Sequence, residues 1–471
     1  MTMQHVKSIA LYIFILSLAA CRVGRDYQRP DLALPAQFTG TATGDTLSVG
    51  DLEWKQFFPD TTLQSLIQKA LTGNFDLQLA MRRVDEAQAY LKQARVNWTP
   101  VVQAQATGST LNPSENSLNG KSLEAFIGAN HVEDYTLGAT LSWELDIWGK
   151  LRRQREAAAN TFLQTREAAH AVQTTLVAGI AGTYFNLLML DEQLNIARRN
   201  LSLGDTVVQM MQLQKESGQV TELAVQQAQA QRQTAALLVP LLEQEVAIQE
   251  NTLRILTGDV PGPITRFSKL RDFTIPAELP TGVPAALISR RPDVRASELA
   301  LRAANARVGY AQGNMYPALS ITAAGGINAF KASDWFSIPA SLFGTVAGNI
   351  VQPIFQQRQL KTQLEVARIQ REQAVIGFRQ SALNAIGEVA NAMVRLDKLE
   401  SRHRIATEQV NTLQQAIANA SLLFKSGLAD YLEVITAQSN YLQAELNLAD
   451  VRRQQLDAMV ELYRALGGGW K

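Results

Sequence analysis

Between Tyr135 and Leu145 apolar and polar residues alternate without a break. Tyr135, Leu137, Ala139, Leu141, Trp143 and Leu145 are interleaved with Thr136, Gly138, Thr140, Ser142 and Glu144. A period of two predicts a β-strand with one apolar and one polar face. Val102, Ala104 and Ala106 alternate with Gln103, Gln105 and Thr107, and Leu319, Ile321 and Ala323 with Ser320 and Thr322, which predicts two more strands. A fourth, around Leu342 to Phe355, alternates poorly and is placed mainly by the internal repeat described below. Polar loops near Asn112–Asp134 and Asn328–Ser337 are expected to join each pair. Strands of about ten residues are long enough to cross a bilayer. Aromatic residues beside them (Tyr135, Trp143 and Trp148; Phe343 and Phe355) suit interfacial girdles. On that reading Tyr135, Leu137, Leu141, Trp143 and Leu145 face lipid, and Thr140, Ser142 and Glu144 face a lumen. A soluble sandwich with one solvated face is the competing reading.

Elsewhere the pattern is helical. Helices are expected from Asp76 to Trp98 and from Asp293 to Tyr316, stopped by Pro100 and Pro317. After Lys150 the chain has few helix breakers until Gly218, and again from Val220 to Thr257; the plan recurs from Gln357 to Lys425 and Leu428 to Leu466. The first member of each pair is about 65 residues, or roughly 100 Å. The second is shorter by about the length of the helix that precedes the strands. Each half therefore predicts one continuous rod beside one rod stacked from two pieces. Leu428, Ile435, Leu442, Ala449, Leu456 and Tyr463 recur every seven residues, which is coiled-coil spacing. Ser439 and Arg453 interrupt the companion stripe of Leu432, Leu446 and Val460. Pro240 lies inside a helix and is expected to kink it.

The halves are copies. A shift of 217 positions carries Leu71 onto Ile288, Asp76 onto Asp293 and Pro100 onto Pro317; a shift of 209 carries Gly218 onto Gly427, Leu223 onto Leu432 and Gly258 onto Gly467. Before them comes a leader in which His5 and Lys7 precede an apolar run from Ile9 to Leu18, followed by Leu18-Ala19-Ala20-Cys21. The run is too short to span a membrane as a helix and fits a signal peptide. Cys21 is the only cysteine in the chain, so no disulfide forms within one subunit. Its setting is that of a bacterial lipobox, which makes Cys21 the expected lipid attachment site. Without the leader 43 basic residues face 43 acidic ones, a balance that argues against nucleic acid as a partner. The histidines, His5, His131, His170 and His403, show no zinc-protease spacing, and neither a phosphate loop nor a nucleophile elbow occurs. An enzyme is not expected, and no metal or cofactor beyond the covalent lipid.

Four strands cannot close a barrel, and open sheet edges do not survive in lipid. The expectation is a barrel shared between subunits, twelve strands from a trimer. The lipobox, the run Val23-Gly24-Arg25-Asp26-Tyr27-Gln28-Arg29-Pro30, Trp54 with Phe57 and Asp60, Ile288-Ser289-Arg290-Arg291-Pro292-Asp293-Val294 and the terminal Ala465-Leu466-Gly467-Gly468-Gly469-Trp470 resemble the TolC-like outer membrane efflux factors. The likeness is to their lipoprotein branch, related to NodT and OprM, and covers the whole mature chain. Arg25 stands where that family commonly has Pro. The resemblance implies an α+β membrane protein: a homotrimer with a twelve-stranded transmembrane β-barrel in the bacterial outer membrane and a long α-helical coiled-coil barrel in the periplasm. It also implies a passive exit duct working with a periplasmic adaptor (membrane fusion protein) and an inner-membrane transporter, expected to be of the proton-driven RND type. The order would be signal peptide 1–20, lipid-anchored strap 21–60, first-repeat helices 61–98, strands 99–148, hairpin 149–258, equatorial linker 259–282, second-repeat helices 283–316, strands 317–356, hairpin 357–466 and tail 467–471. A structural coiled-coil lipoprotein would explain the lipid and the heptads but not the strands or the duplication. A protein-secretion duct shares the whole architecture.

The repeat also aligns two turns, Lys215-Glu216-Ser217-Gly218 and Phe424-Lys425-Ser426-Gly427. Asp430 and Glu433 follow the second. The pattern D-x-x-E is a helix-capping signature. The alternative is functional: threefold symmetry brings three Asp430 carboxylates towards one axis as a gate at the periplasmic mouth, and the resemblance supports acidic residues near this turn.

Overall fold

A computed structural model describes residues 23–32, 35, 48–276 and 280–471. The leader and Cys21 lie outside the described residues, as do residues 22, 33, 34 and 36–47 of the strap. The chain divides into two compact units: residues up to Pro30 with Asp85–Leu163 and Leu299–Ile376, and Asp31–Val84 with Gln164–Glu298 and Gly377–Lys471. Its elements in order are α1 (Thr61–Gly73), α2 (Phe75–Val96), β1 (Val101–Leu111), α3 (Leu118–Ile127), β2 (Val132–Leu145), α4 (Lys150–Glu216), α5 (Glu222–Leu256), α6 (Pro292–Gly313), β3 (Ala318–Ala329), β4 (Leu342–Val351), α7 (Gln359–Lys425) and α8 (Tyr431–Ala465). Single helical turns at Trp54–Phe57 and Leu287–Arg290 complete the two copies. Both α4 and α7 run for 67 residues, α5 and α8 for 35, and α2 and α6 for 22.

The first unit contains an antiparallel sheet in the order β1-β2-β3-β4. Two details depart from expectation. The segment between β1 and β2 is not simply a loop, because α3 forms inside it. Ser117 caps that helix by accepting the Gly120 N–H at 3.1 Å, and Gly128 ends it in the left-handed region at φ 69°. The fourth strand stops at Val351, short of Phe355, since Pro353 has no N–H to give a ladder.

In the second unit α1 starts at Asp60, whose carboxylate takes the Leu63 N–H at 2.6 Å, and buries Leu63, Ile67 and Ala70 on one face. Phe378, Ala385 and Ala392 of α7 are buried at seven-residue spacing, and so are Leu442, Ala449, Leu456 and Tyr463 of α8. The α8 stripe fades towards the turn: Leu432 is exposed, and Leu428 is exposed and precedes the helix. Arg453, which breaks the stripe, bonds Asp450 at 2.9 Å and also Asp457. Burial pushes the Asp457 carboxyl up to about 6, outweighing the pull of Arg453. Pro240 is accommodated without ending α5.

The stacking of short helices is visible at two joints within this unit. The Asn74 amide, just before α2, donates to the Leu256 carbonyl at the end of α5 (3.0 Å). In the second copy the Arg291 guanidinium, just before α6, donates to the Ala465 carbonyl at the end of α8 (3.0 Å). A helix C-terminus leaves carbonyls unpaired and partly negative, so a donor from the next helix start answers both needs. Arg291 also bonds Asp293 at 2.7 Å and Glu388 at 2.8 Å. Burial would raise the Asp293 carboxyl, but Arg291 outweighs it and holds the group below the usual carboxylate range. The backbones approach closely: a Cβ on Gly73 would stand 2.3 Å from the Thr257 oxygen, and one on Gly258 2.2 Å from the Gly73 oxygen.

Candidate functional site: sheet faces and hairpin turns

The strand register decides which side chains share a face. Val102 pairs with Leu141, Leu141 with Ala323, and Ala323 with Val346. The next apolar row is Ala106, Leu137, Ile327 and Leu342, and near the other end Leu145, Leu319 and Ile350 align. Tyr135, Leu137, Leu141, Trp143 and Leu145 therefore belong to one apolar face that continues across all four strands. The opposite face carries Gln103, Gln105, Thr107, Thr136, Thr140, Ser142, Glu144, Ser320, Thr322, Thr345 and Asn349. In β4 the register puts Leu342, Val346 and Ile350 on the apolar face. Much of the apolar face is uncovered: Leu137, Leu342, Val346 and Ile350 are exposed, Val346 by 80%.

Aromatic rings mark both ends of that face. At the helix side, the Trp143 indole donates to the Trp98 carbonyl and the Trp148 indole to the Pro317 carbonyl, both at 2.7 Å. Trp148 also lies 5.1 Å from the Tyr316 ring. At the far end Tyr135 lies 5.5 Å from Trp335, which lies 5.1 Å from Phe336. Tyr135 and Trp143 are eight positions apart, about 27 Å along a strand. Phe343 is a correction to the expected girdle. It pairs with Gly326 and shares the polar face, in a row where Gly138 and Gly326 supply no side chains and leave room for a ring. Phe355 lies beyond β4.

The two turns are built alike. Gly218 and Gly427 are left-handed at φ 74° and 72°. The Gln219 N–H bonds the Gln214 carbonyl at 2.8 Å, and the Leu428 N–H bonds the Leu423 carbonyl at 2.9 Å. These are helix stops in which glycine takes the conformation that other residues resist. Asp430 occupies the cap position of α8, yet its side chain makes no capping bond; only its carbonyl is engaged, by the Glu433 N–H at 3.2 Å. Asp430 and Glu433 are both exposed beside Gly427.

Behind the turns the hairpins pack together. Met211, Val225 and Ala228 of the first meet Tyr431 and Val434 of the second. Tyr431 lies 5.6 Å from Phe424, and burial raises its phenol to about 12. A cavity of about 500 Å³ follows, lined by Arg199, Gln231, Arg232, Gln414, Gln438 and Tyr441 among others. The Arg232–Asp205 pair at 2.5 Å stands beside it. Tyr431, Phe424 and Arg232 were not legible as site residues in the sequence. The repeat held one signal for the two aromatic residues, since Phe424 and Tyr431 replace Lys215 and Glu222 of the first copy.

The sequence profile of a family described as outer membrane efflux protein matches residues 66–259 and 283–468, the greater part of the chain in two segments that follow the repeat. The chain belongs to the outer membrane efflux protein family. This efflux protein is 28% identical to the cation efflux system protein CusC of Escherichia coli, over 97% of each chain. It is 30% identical to the antibiotic efflux pump outer membrane protein ArpC of Pseudomonas putida, over 99% of this chain and 96% of that one. The solved structure of the outer-membrane channel OprN superposes with a TM-score of 0.84 at 28% identity, covering 96% of this chain and all of OprN. The efflux protein is thus an outer membrane channel with the TolC-like combination of long helices and a small antiparallel sheet.

Proposed function

We propose that three copies of this efflux protein form a passive exit duct, each copy giving four strands to a twelve-stranded barrel. The single observation that carries the reading is the apolar face shared in register by β1 to β4, bounded by edge strands that have no partner within the described residues. In lipid such edges must pair, and neighbouring copies supply the partners. Tyr135, Leu137, Leu141, Trp143 and Leu145 then face lipid. Cys21, acylated, adds a covalent hold on the membrane, with no other cofactor. The hairpin turns form the periplasmic mouth, where Asp430 carboxylates converge as an acidic constriction, with Glu433, Gly427 and Gly218 shaping it. A periplasmic adaptor opens the mouth, and an inner-membrane transporter of the proton-driven RND type supplies the energy. Similar identity to a cation-system protein and to an antibiotic-pump protein favours neither cargo, so selection is assigned to the inner-membrane partner. The deciding experiment is insertion of two variants into planar bilayers. Leu141→Arg places a charge on the lipid face at a cost of roughly 2–4 kcal/mol and should block insertion. Thr140→Arg, on the polar face, should insert and alter single-channel current. Equal tolerance of both substitutions would overturn the assignment of faces.

A further inference from the structure

The longest helix of the first copy begins against its own dipole. A helix N-terminus is partly positive and favours acidic residues, yet α4 opens Lys150-Leu151-Arg152-Arg153-Gln154-Arg155, with no acid in its first turn. Some of this charge is answered locally. Asp146 accepts the N–H groups of Leu151 and Arg152 at 2.9 Å each. Lys150 pairs with Glu144, and Arg153 with Glu156 at 2.7 Å and Asp26 at 2.8 Å. Arg152 and Arg155 have no such side-chain partner among the described residues. Nor has Arg95, in the last turn of α2. All three line one cavity of about 670 Å³, with Asp26 and Glu156.

Its place in the fold says what fills it. Arg95 stands three positions before Trp98, and Arg152 four after Trp148, the tryptophans at the helix-side end of the sheet. Aromatic belts mark the membrane interface, and the level just beyond them is that of the lipid headgroups. The strap gives a second, independent marker. Buried Arg153 donates to the Val23 and Gly24 carbonyls at 3.3 and 3.0 Å, and the Val23 N–H bonds the Trp148 carbonyl at 3.2 Å. In the sequence Val23 is the second residue after Cys21, the proposed lipid attachment point. Val23 and Gly24 are therefore held beside the same cavity through Arg153.

We propose that Arg95, Arg152 and Arg155 form a binding site for the phosphodiester of an anionic phospholipid in the periplasmic leaflet of the outer membrane. Planar guanidinium groups match phosphate oxygens in pairs. A bound phosphate neutralises the charge that α4 carries at its positive end. The site rests on the membrane-spanning reading of the sheet, since it needs headgroups at this level.

The test uses full-length protein carrying Arg95→Gln, Arg152→Gln and Arg155→Gln together. A control carries Arg198→Gln, Lys398→Gln and Arg404→Gln, exposed cations of the other unit. Phosphatidylglycerol binding is read by native mass spectrometry, and single-channel current is recorded in parallel. Each basic side chain near an anionic surface contributes roughly a factor of five, so the triple variant should bind about a hundredfold more weakly. Wild type and control should bind alike, and all three should conduct. Undiminished lipid binding by a conducting triple variant overturns the site and leaves the channel reading intact. Inorganic phosphate displacing the lipid at equal concentration would make free phosphate the ligand and overturn the lipid assignment. Failure of the wild type to conduct would bring down the membrane reading and the site together.

Discussion

The two hairpin turns share a backbone and differ in what holds them. At the first, Lys215 pairs with Glu222 across the turn, both half exposed. At the second the same two positions are Phe424 and Tyr431, rings 5.6 Å apart, with Tyr431 buried against Met211, Val225 and Val434. An exposed ion pair is screened by water and salt and holds little. A buried aromatic pair loses area to water whenever it opens. Duplication thus kept the glycine-stopped turn and exchanged its fastening. The copy with the firmer fastening is also the one that presents Asp430, where the first copy has Thr221. In the gate proposed above this charge sits near a symmetry axis, where it has to be placed accurately, and a stiffer turn serves that placement.

The largest expected effect comes from removing the firm fastening. Tyr431→Ala should weaken the second turn by about 3 kcal/mol, seen as faster hydrogen exchange of the amides from Phe424 to Thr436. Equal protection in the variant would break the comparison. Next, Asp430→Ala should raise resting single-channel conductance severalfold without changing trimer yield, and Glu433→Ala should do so less. Unchanged conductance with lowered thermal stability would reduce Asp430 to a helix-start residue. The third effect is pH-dependent. The hydrogen bond from Lys215 holds the Glu222 carboxyl below its ordinary value. The pair's contribution is therefore present above the usual carboxylate range, near pH 4.3, and is lost as pH falls through the lower folded value. A spin label at Gln219 should gain mobility over that descent, while in Glu222→Gln it should be mobile at every pH. The smallest effect belongs to Lys215→Ala, for which thermal unfolding should not shift measurably.

A separate titration sharpens the contrast with the helical body. Asp457 has a folded value raised to about 6. Its contribution is complete below about pH 4 and is lost as pH rises through 6, the reverse of Glu222. Asp457→Asn should flatten the dependence of melting temperature on pH between 4 and 7.

Much of this architecture was legible because it is periodic. Strict alternation in β2 and seven-residue spacing in α8 report burial residue by residue, and glycines mark both turns. What was hidden depends on partners far away in sequence. Phe343 could be assigned a face only through its pairing with Gly326. The poor alternation of β4 resolved only when Val346 was set against Ala323. Arg153 looked like one basic residue among several, and nothing local tied it to Val23 and Gly24. Asp430 misled in the other direction: the local pattern D-x-x-E reads as a cap, but the carboxylate makes no capping bond. Helix α3 was missed because ten residues with two internal polar breaks give too short a signal, and its Ser117 and Gly128 boundaries resemble ordinary turn residues.

The joints at Asn74–Leu256 and Arg291–Ala465 have a mechanical meaning. Each is a butt joint between separate lengths of helix, and beside the second runs α7, unbroken for 67 residues and tied to it through Glu388. Bricklayers stagger seams for the same reason. A bending force can open a seam cheaply only where the neighbouring course is also interrupted, and here that course is continuous. At the Arg291–Ala465 joint the seam is therefore backed by an uninterrupted course.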